Sequence, residues 1–214
     1  MRNILCYGDS NTWGAIPAPL YGVEGRYDIH TRWPGALRDQ LGPDYWVIEE
    51  GLSGRTTVWD DPISPHRNGA VYLPPCLFTH RPLDLVIILL GTNDLKHRFG
   101  KSPYDIASGA GFLVDLVLSS GCGPDEGAPG VLLICPPPVT DPVPVKFADM
   151  FEGAVEKSRQ LAPQYQKVAA EKGVHFLNAG DFIESSPVDG IHFEAEGQRK
   201  LGIAVAEKVR AIFG

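Results

Sequence analysis

Ser10 stands at the end of an apolar run, in Ile4-Leu5-Cys6-Tyr7-Gly8-Asp9-Ser10-Asn11, and Asp189 and His192 stand three residues apart near the far end of the chain. A serine hydroxyl attacks poorly at neutral pH unless a base takes its proton, and the base must be held in one tautomer by a third group. His192 is the candidate base and Asp189 its orienting carboxylate. One tight turn through Gly190 and Ile191 brings that carboxylate to Nδ1 while Nε2 points toward Ser10. On spacing alone, a plain Asp-Gly turn with His192 capping the last helix is an equal reading; Ser10 and two further segments tilt the balance toward chemistry. Such chemistry fails in acid, where a protonated imidazole cannot accept the serine proton.

Negative charge developing on a substrate carbonyl oxygen needs donors already in place. Gly51-Leu52-Ser53-Gly54 and Gly91-Thr92-Asn93-Asp94 each follow another apolar run. Asn93 offers a neutral side-chain amide, Gly54 a backbone N–H that lacks a Cβ to hinder approach, and Ser10 its own N–H. The competing readings are a turn or cap role for Asn93 and a turn role for Gly54. Ser53 is a rival nucleophile, but Arg55 stands where a G-x-S-x-G elbow requires its last glycine. Trp13 either lines an acyl or alcohol pocket or packs beneath the first loop, and Trp33, before Pro34, reads as core. Asp94 either orders the Asn93 loop or caps a helix. Glu49 and Glu50 are neighbours on a strand and point to opposite faces, which excludes joint acid-base work. His175 opens a strand; His30, His66, His80 and His97 fall in loop-like stretches with no carboxylate at a helpful spacing. None of these histidines has a metal-ligand pattern.

The elements that must position these residues follow from hydrophobic patterning. Near-continuous apolar runs at 3–7, 46–50, 85–90, 131–135 and 174–177 read as strands buried on both faces of a parallel sheet. Helix candidates lie between them at 33–41, 103–120, 147–172 and 194–213; in the last, Leu201, Val205, Val209 and Ile212 form one apolar stripe. Alternating strand and helix predicts a doubly wound, three-layer αβα domain with its ligand crevice at the carboxyl ends of the strands, where every candidate motif falls. The segment 123–130 reads as a surface loop. The connections 14–30, 55–82 and 136–146 are unusually long, and each follows a strand end. They are expected to wall the active site, the last stiffened by three consecutive prolines from Pro136.

Composition bounds the partners. The chain has 214 residues, a formal charge of −7 and 43% hydrophobic residues, which fits one domain with one substantial core. The acidic balance, with no Lys/Arg run, argues against nucleic acid and anionic membrane surfaces and makes a small neutral or cationic ligand easier to accommodate. The first apolar stretch is too short for a signal segment or a membrane span. Cys6, Cys76, Cys122 and Cys135 lack C-x-x-C spacing, so reduced thiols in a cytoplasm are expected, without a metal site. A nucleotide site is disfavoured because the first loop lacks G-x-G-x-x-G and a P-loop lysine.

Taken together, Gly8-Asp9-Ser10, Gly51-Leu52-Ser53-Gly54-Arg55-Thr56-Thr57, Gly91-Thr92-Asn93-Asp94 and Asp189-Gly190-Ile191-His192-Phe193 resemble the SGNH, or GDSL, hydrolases over nearly the whole chain. Asn11 stands where many members have leucine. Gly8 through Gly14, Val47 through Ser53 and Leu83 through Ile88 are similar to the bacterial arylesterase and acyltransferase subgroup. The resemblance implies a flavodoxin-like fold with a five-stranded parallel sheet, in a single SGNH hydrolase domain over 1–214. It implies Ser10 as nucleophile, His192 as base and then acid, Asp189 as its partner, and Ser10, Gly54 and Asn93 as oxyanion donors. It further implies hydrolysis of short-chain acyl and aryl esters with no cofactor. In some members acyl transfer to alcohols or perhydrolysis accompanies it, in a homo-octamer whose loops narrow the entrance. Deacetylation of sugars and thioester cleavage are neighbouring readings, since the same triad serves any acyl group with a suitable leaving group. A noncatalytic binding module of the same shape is disfavoured by the intact Ser10, Asn93, Asp189 and His192.

Overall fold

A computed structural model of the protein describes residues 1–20 and 25–214. Residues 21–24, inside the long connection expected at 14–30, lie outside the described residues. Five strands, β1 (Arg2–Gly8), β2 (Tyr45–Gly51), β3 (Leu85–Leu89), β4 (Gly130–Cys135) and β5 (His175–Asn178), form one parallel sheet in the order β2-β1-β3-β4-β5. The order reverses between β1 and β3. That switch point leaves a crevice at the carboxyl ends of the two strands that precede Ser10 and Asn93.

Successive strand side chains point to opposite faces, so each apolar run feeds two cores at once. Leu5, Tyr7, Val86, Ile88 and Leu133 face α3 (Gly69–His80), α4 (Pro103–Leu118) and α6 (Leu161–Lys172). Ile4, Cys6, Ile87 and Leu132 face α2 (Trp33–Leu41) and α7 (Ala195–Phe213), whose Leu201, Val205 and Val209 supply the expected stripe. Removing water from each such Leu or Ile side chain stabilises the fold by about 1.5–3 kcal/mol, which explains why the central strand β3, Leu85–Leu89, is apolar on both faces. Trp33 is fully buried in the second core, as its sequence context predicts. The short α1 (Ser10–Trp13) follows β1 directly, and α5 (Ala154–Arg159) precedes α6.

Two expectations need correction. The stretch 55–82 is not one long loop, because α3 occupies its second half despite Pro74 and Pro75. Local proline chemistry disfavours a helix interior. Burial of Leu73, Cys76 and Leu77, with the Asn68 side chain accepting the Ala70 N–H at 3.0 Å, overrides it. The helix expected at 147–172 is instead a turn region followed by α5 and α6, broken at Gln160. Gly153 takes a left-handed φ of 73° just before α5. Pro163 has no N–H to give the Arg159 carbonyl, so the ladder cannot run through.

Candidate active site

Ser10 opens α1 two residues past the end of β1, with Asp9 as N-cap: the Asp9 carboxylate accepts the Asn11 N–H at 2.9 Å. The opposite partner comes from the turn before α7. Gly190 has a φ of 84°, and the turn is closed by Gly190 N–H to Ser186 O and Ser186 N–H to His192 O, both 2.7 Å. That turn places His192 Nε2 3.0 Å from Ser10 Oγ and His192 Nδ1 2.7 Å from Asp189 Oδ2. The third long connection braces it, since Thr140 donates its N–H to Gly190 O at 3.1 Å. The Phe147 ring meets the imidazole edge-on at 6.1 Å.

Asp189 is fully buried. Burial by itself would raise its carboxyl. The hydrogen bond from the imidazole and those from the Ile191 and His192 amides, at 3.1 and 3.0 Å, outweigh burial and hold it below the usual carboxylate range. An ionised Asp189 fixes the proton of a neutral His192 on Nδ1 and leaves Nε2 as an acceptor facing the serine hydroxyl. The geometry is that of a charge-oriented base beside an alcohol.

On the other side of Ser10, the Asn93 side-chain amide donates to Arg55 O at 3.1 Å and to Asp9 Oδ2 at 3.3 Å. The backbone N–H groups of Ser10 and Gly54 meet no acceptor among the described residues, which leaves them available to a ligand. Gly91 makes the Asn93 loop possible. Its φ is 124°, and a Cβ there would lie 2.2 Å from the Tyr165 hydroxyl, which itself donates to Leu90 O. Asp94 is bound to the backbone N–H of Thr57 at 3.1 Å and to its hydroxyl, so it ties the Asn93 loop to the Gly54 segment rather than capping a helix.

Sequence reasoning missed two residues that support this floor. Asp9 holds the Asn93 amide, and burial pushes its carboxyl up to about 6 against the opposing pull of the Asn11 amide and of His192. Arg55, noted in the glycine block and for breaking an elbow motif but given no role, is buried with its guanidinium 4.1 Å from the centre of the Tyr7 ring, and it donates to Gly8 O at 2.8 Å and to Glu50 O. It thereby pins the ends of β1 and β2 together. Its sequence signal was the departure from the elbow pattern itself.

A cavity of about 200 Å³ opens over Ser10 and His192, lined also by Trp13, Gly54, Asn93 and Phe147. Trp13 thus faces the cavity, with the Arg26 guanidinium 5.0 Å from its ring. Ser53 lines it too but is exposed, and among the described residues no imidazole is bonded to its hydroxyl. Three of the five remaining histidines have carboxylates that spacing could not reveal: His30 pairs with Asp39 at 2.9 Å, His97 with Glu152 at 3.6 Å, and His80, on α3 rather than in a loop, with Glu50 at 2.9 Å. Glu49 and Glu50 do diverge, Glu49 toward Arg32 and Arg38. Glu50, Cys76 and His80 hold their donor atoms within 4.8 Å of one another, a grouping that metal-ligand spacing does not reveal. Burial lifts the Cys76 thiol to about 12 and the Arg55 charge acts nearby, so a cation there would meet a protonated thiol and a like charge.

The model of the GDSL-like lipase/acylhydrolase family matches residues 6–200. The chain belongs to that family. As a GDSL-like acylhydrolase it is a carboxylic ester hydrolase with the SGNH fold. The aryl esterase of M. smegmatis is 49% identical, with 99% of each chain covered and a TM-score of 0.94. A carbohydrate acetylesterase from Sinorhizobium meliloti is 47% identical over 99% of this chain and 100% of its own, with a TM-score of 0.96. Among curated proteins, an acetylxylan esterase of Xylanibacter ruminicola is 26% identical over 97% of this chain. This GDSL-like chain spans 43% of that relative's length.

Proposed function

We propose that this acylhydrolase cleaves small acyl esters through an acyl-enzyme on Ser10. His192 takes the serine proton through Nε2 as Oγ attacks the carbonyl, and Asp189 steadies the imidazolium. The N–H groups of Ser10 and Gly54 and the Asn93 amide receive the oxyanion, and His192 returns the proton to the leaving alcohol. Water, activated by the same imidazole, then releases the acid. The observation that carries this reading is the continuous relay from Asp189 Oδ2 through His192 to Ser10 Oγ, with contacts of 2.7 and 3.0 Å. A cavity of about 200 Å³ favours acetyl-sized acyl groups, with Trp13 as a wall of the substrate pocket. The whole chain, 1–214, acts as one hydrolase domain in this reading.

Aryl and simple alkyl acetates are the leading substrates. A second reading, removal of acetyl groups from carbohydrate, is favoured by the 47% identity to the Sinorhizobium meliloti carbohydrate acetylesterase. Acyl transfer to an alcohol, or perhydrolysis with hydrogen peroxide, follows if either outcompetes water for the acyl-enzyme. A cytoplasmic homo-octamer is part of the same reading, and exposed Trp46, Val71 and Phe78 offer apolar surface for contact between copies. No described helix is long and apolar enough to cross a membrane.

Turnover of phenyl acetate, phenyl butyrate, phenyl octanoate, acetylated xylose and an acyl thioester, with product partition in added alcohol, tests the assignment. Phenyl acetate should lead the aryl series. Selective cleavage of acetylated xylose or of the thioester would replace the aryl reading, and sedimentation velocity reads the assembly.

A further inference from the structure

The charges around the cavity run against those of the whole chain. The protein carries a formal −7, yet among the described residues that line the catalytic cavity there is no carboxylate, and two lysines, Lys96 and Lys146, are present. Lys96 is only 7% exposed. Burying an ammonium is costly unless something compensates it. Its ion-pair partner is Asp61, whose Oδ2 lies 3.5 Å from Nζ, long for a hydrogen bond.

Asp61 is already engaged elsewhere. Its Oδ1 accepts from the Ile63 amide at 3.0 Å, the Ser64 amide at 3.2 Å and the Arg98 guanidinium at 3.1 Å. Two cations therefore share one carboxylate, and the group of three retains one positive charge when all are ionised. Burial lowers the Lys96 ammonium from its ordinary range, the Arg98 charge acts in the same direction, and Asp61 with, more weakly, Asp9 acts to keep it charged. An ammonium with three donors, a single long ion pair and a place in the cavity wall is suited to an acceptor brought by the substrate.

Resting on the ester-hydrolase reading of the same cavity, we propose that Lys96 is a specificity-determining residue that makes this site prefer esters bearing a carboxylate near the scissile bond over uncharged esters of the same size. The net acidity of the chain points the other way, toward neutral or cationic ligands. Local charge decides the preference because a buried ammonium is screened far less than the exposed surface charges.

Matched pairs test this in the unmodified protein: 3-acetoxybenzoate against 3-acetoxybenzamide for a charge in the alcohol portion, and monophenyl succinate against phenyl succinamate for one in the acyl portion. In one pair the anionic ester should show a kcat/KM about 10-fold higher, carried mainly by KM. Lys96→Met should bring that ratio to about one or below, and Lys96→Arg should retain most of it. A ratio at or below one in both wild-type pairs overturns the proposal whether or not the variants fold. So does a ratio within twofold of wild type in folded Lys96→Met. Calorimetric binding of the same four compounds to Ser10→Ala protein separates the two ideas. Preferential anion binding without any turnover by the wild type sinks the ester reading alone, and turnover of neutral esters without anion preference sinks the subsite alone.

Discussion

Asn93 gives its side-chain amide to a carboxylate 84 residues earlier, Asp9, at 3.3 Å. The contact links the candidate oxyanion donor to the residue that caps the short helix of the candidate nucleophile, Ser10. Asn93→Ala should lower kcat on phenyl acetate by about 10²–10³ with little change in KM, the usual cost of losing one oxyanion donor. Asp9→Ala should cost less, because it frees the amide without deleting it. If Asp9 acts through Asn93, the double variant will be no worse than Asn93→Ala alone; steady-state kinetics showing fully additive losses would separate the two residues.

The imidazole depends on Asp189 for its tautomer as well as its position. Asp189→Asn keeps the shape of the side chain but no longer fixes the proton on Nδ1, and kcat should fall by about 10³–10⁴. A serine-directed phosphonate gives an independent check. Mass spectrometry should find it on Ser10 in wild type and on no residue in Ser10→Ala, and labelling at Ser53 would transfer the nucleophile to the rival position.

Two buried carboxyls make the fold sensitive to pH. Burial lifts Asp9 and Asp94 from 3.8 to about 6, opposed by their hydrogen bonds to Asn11 and Thr57. Between pH 4 and 6 the folded state then holds protons that the unfolded chain has released. The stability these groups contribute is complete below about pH 4 and is lost as pH rises through 6. Asp189 has the opposite sign, losing its contribution only as pH falls below the ordinary carboxylate range. Asp94→Asn retains an acceptor for Thr57 and never ionises. Its urea unfolding free energy should therefore gain on wild type by up to about 3 kcal/mol from pH 4 to pH 7, at about 1.4 kcal/mol per pH unit. A constant gap across that range would remove Asp94 as the titrating group.

The parallel sheet was legible because its central strands β1, β3 and β4 are buried on both faces over most of their length, so continuous apolar runs such as Leu85–Leu89 had no competing interpretation. The candidate-site segments around Ser10, Gly54 and Asn93 were legible because they follow the ends of β1, β2 and β3, and Asp189 and His192 because their three-residue spacing fits one turn. What stayed hidden was non-local. The grip of Asp9 on Asn93, the bond of Asp94 to Thr57 and the pairing of His80 with Glu50 all join residues at least 30 positions apart, and spacing rules cannot see them. The helix α3 stayed hidden for another reason: a helix interior at Pro74 and Pro75 violates local propensity, and only burial of its apolar face compensates.

A glycine far from the chemistry sets how closely α7 approaches α2. A Cβ on Gly202 would lie 2.6 Å from the Ala36 Cβ and 2.7 Å from the Trp33 carbonyl, so one of the two helices must move. Overpacking of this kind costs about 1–3 kcal/mol, which exceeds the roughly 1 kcal/mol that alanine gains over glycine inside a helix. The displacement has a path to Ser10. The Trp33 indole donates to Thr12 Oγ1 at 3.2 Å, and Gln198 on α7 joins the Trp33 N–H, at 2.8 Å, to the Asn11 carbonyl, at 3.1 Å. Gly202→Ala should therefore lower both the urea midpoint and kcat, the latter several-fold. Gly197, on the same helix, has no atom closer than 3.7 Å to its added Cβ. Gly197→Ala should be neutral or up to about 1 kcal/mol more stable. Equal destabilisation by the two substitutions would show that helix register, and not the contact with Ala36 and Trp33, is what Gly202 protects.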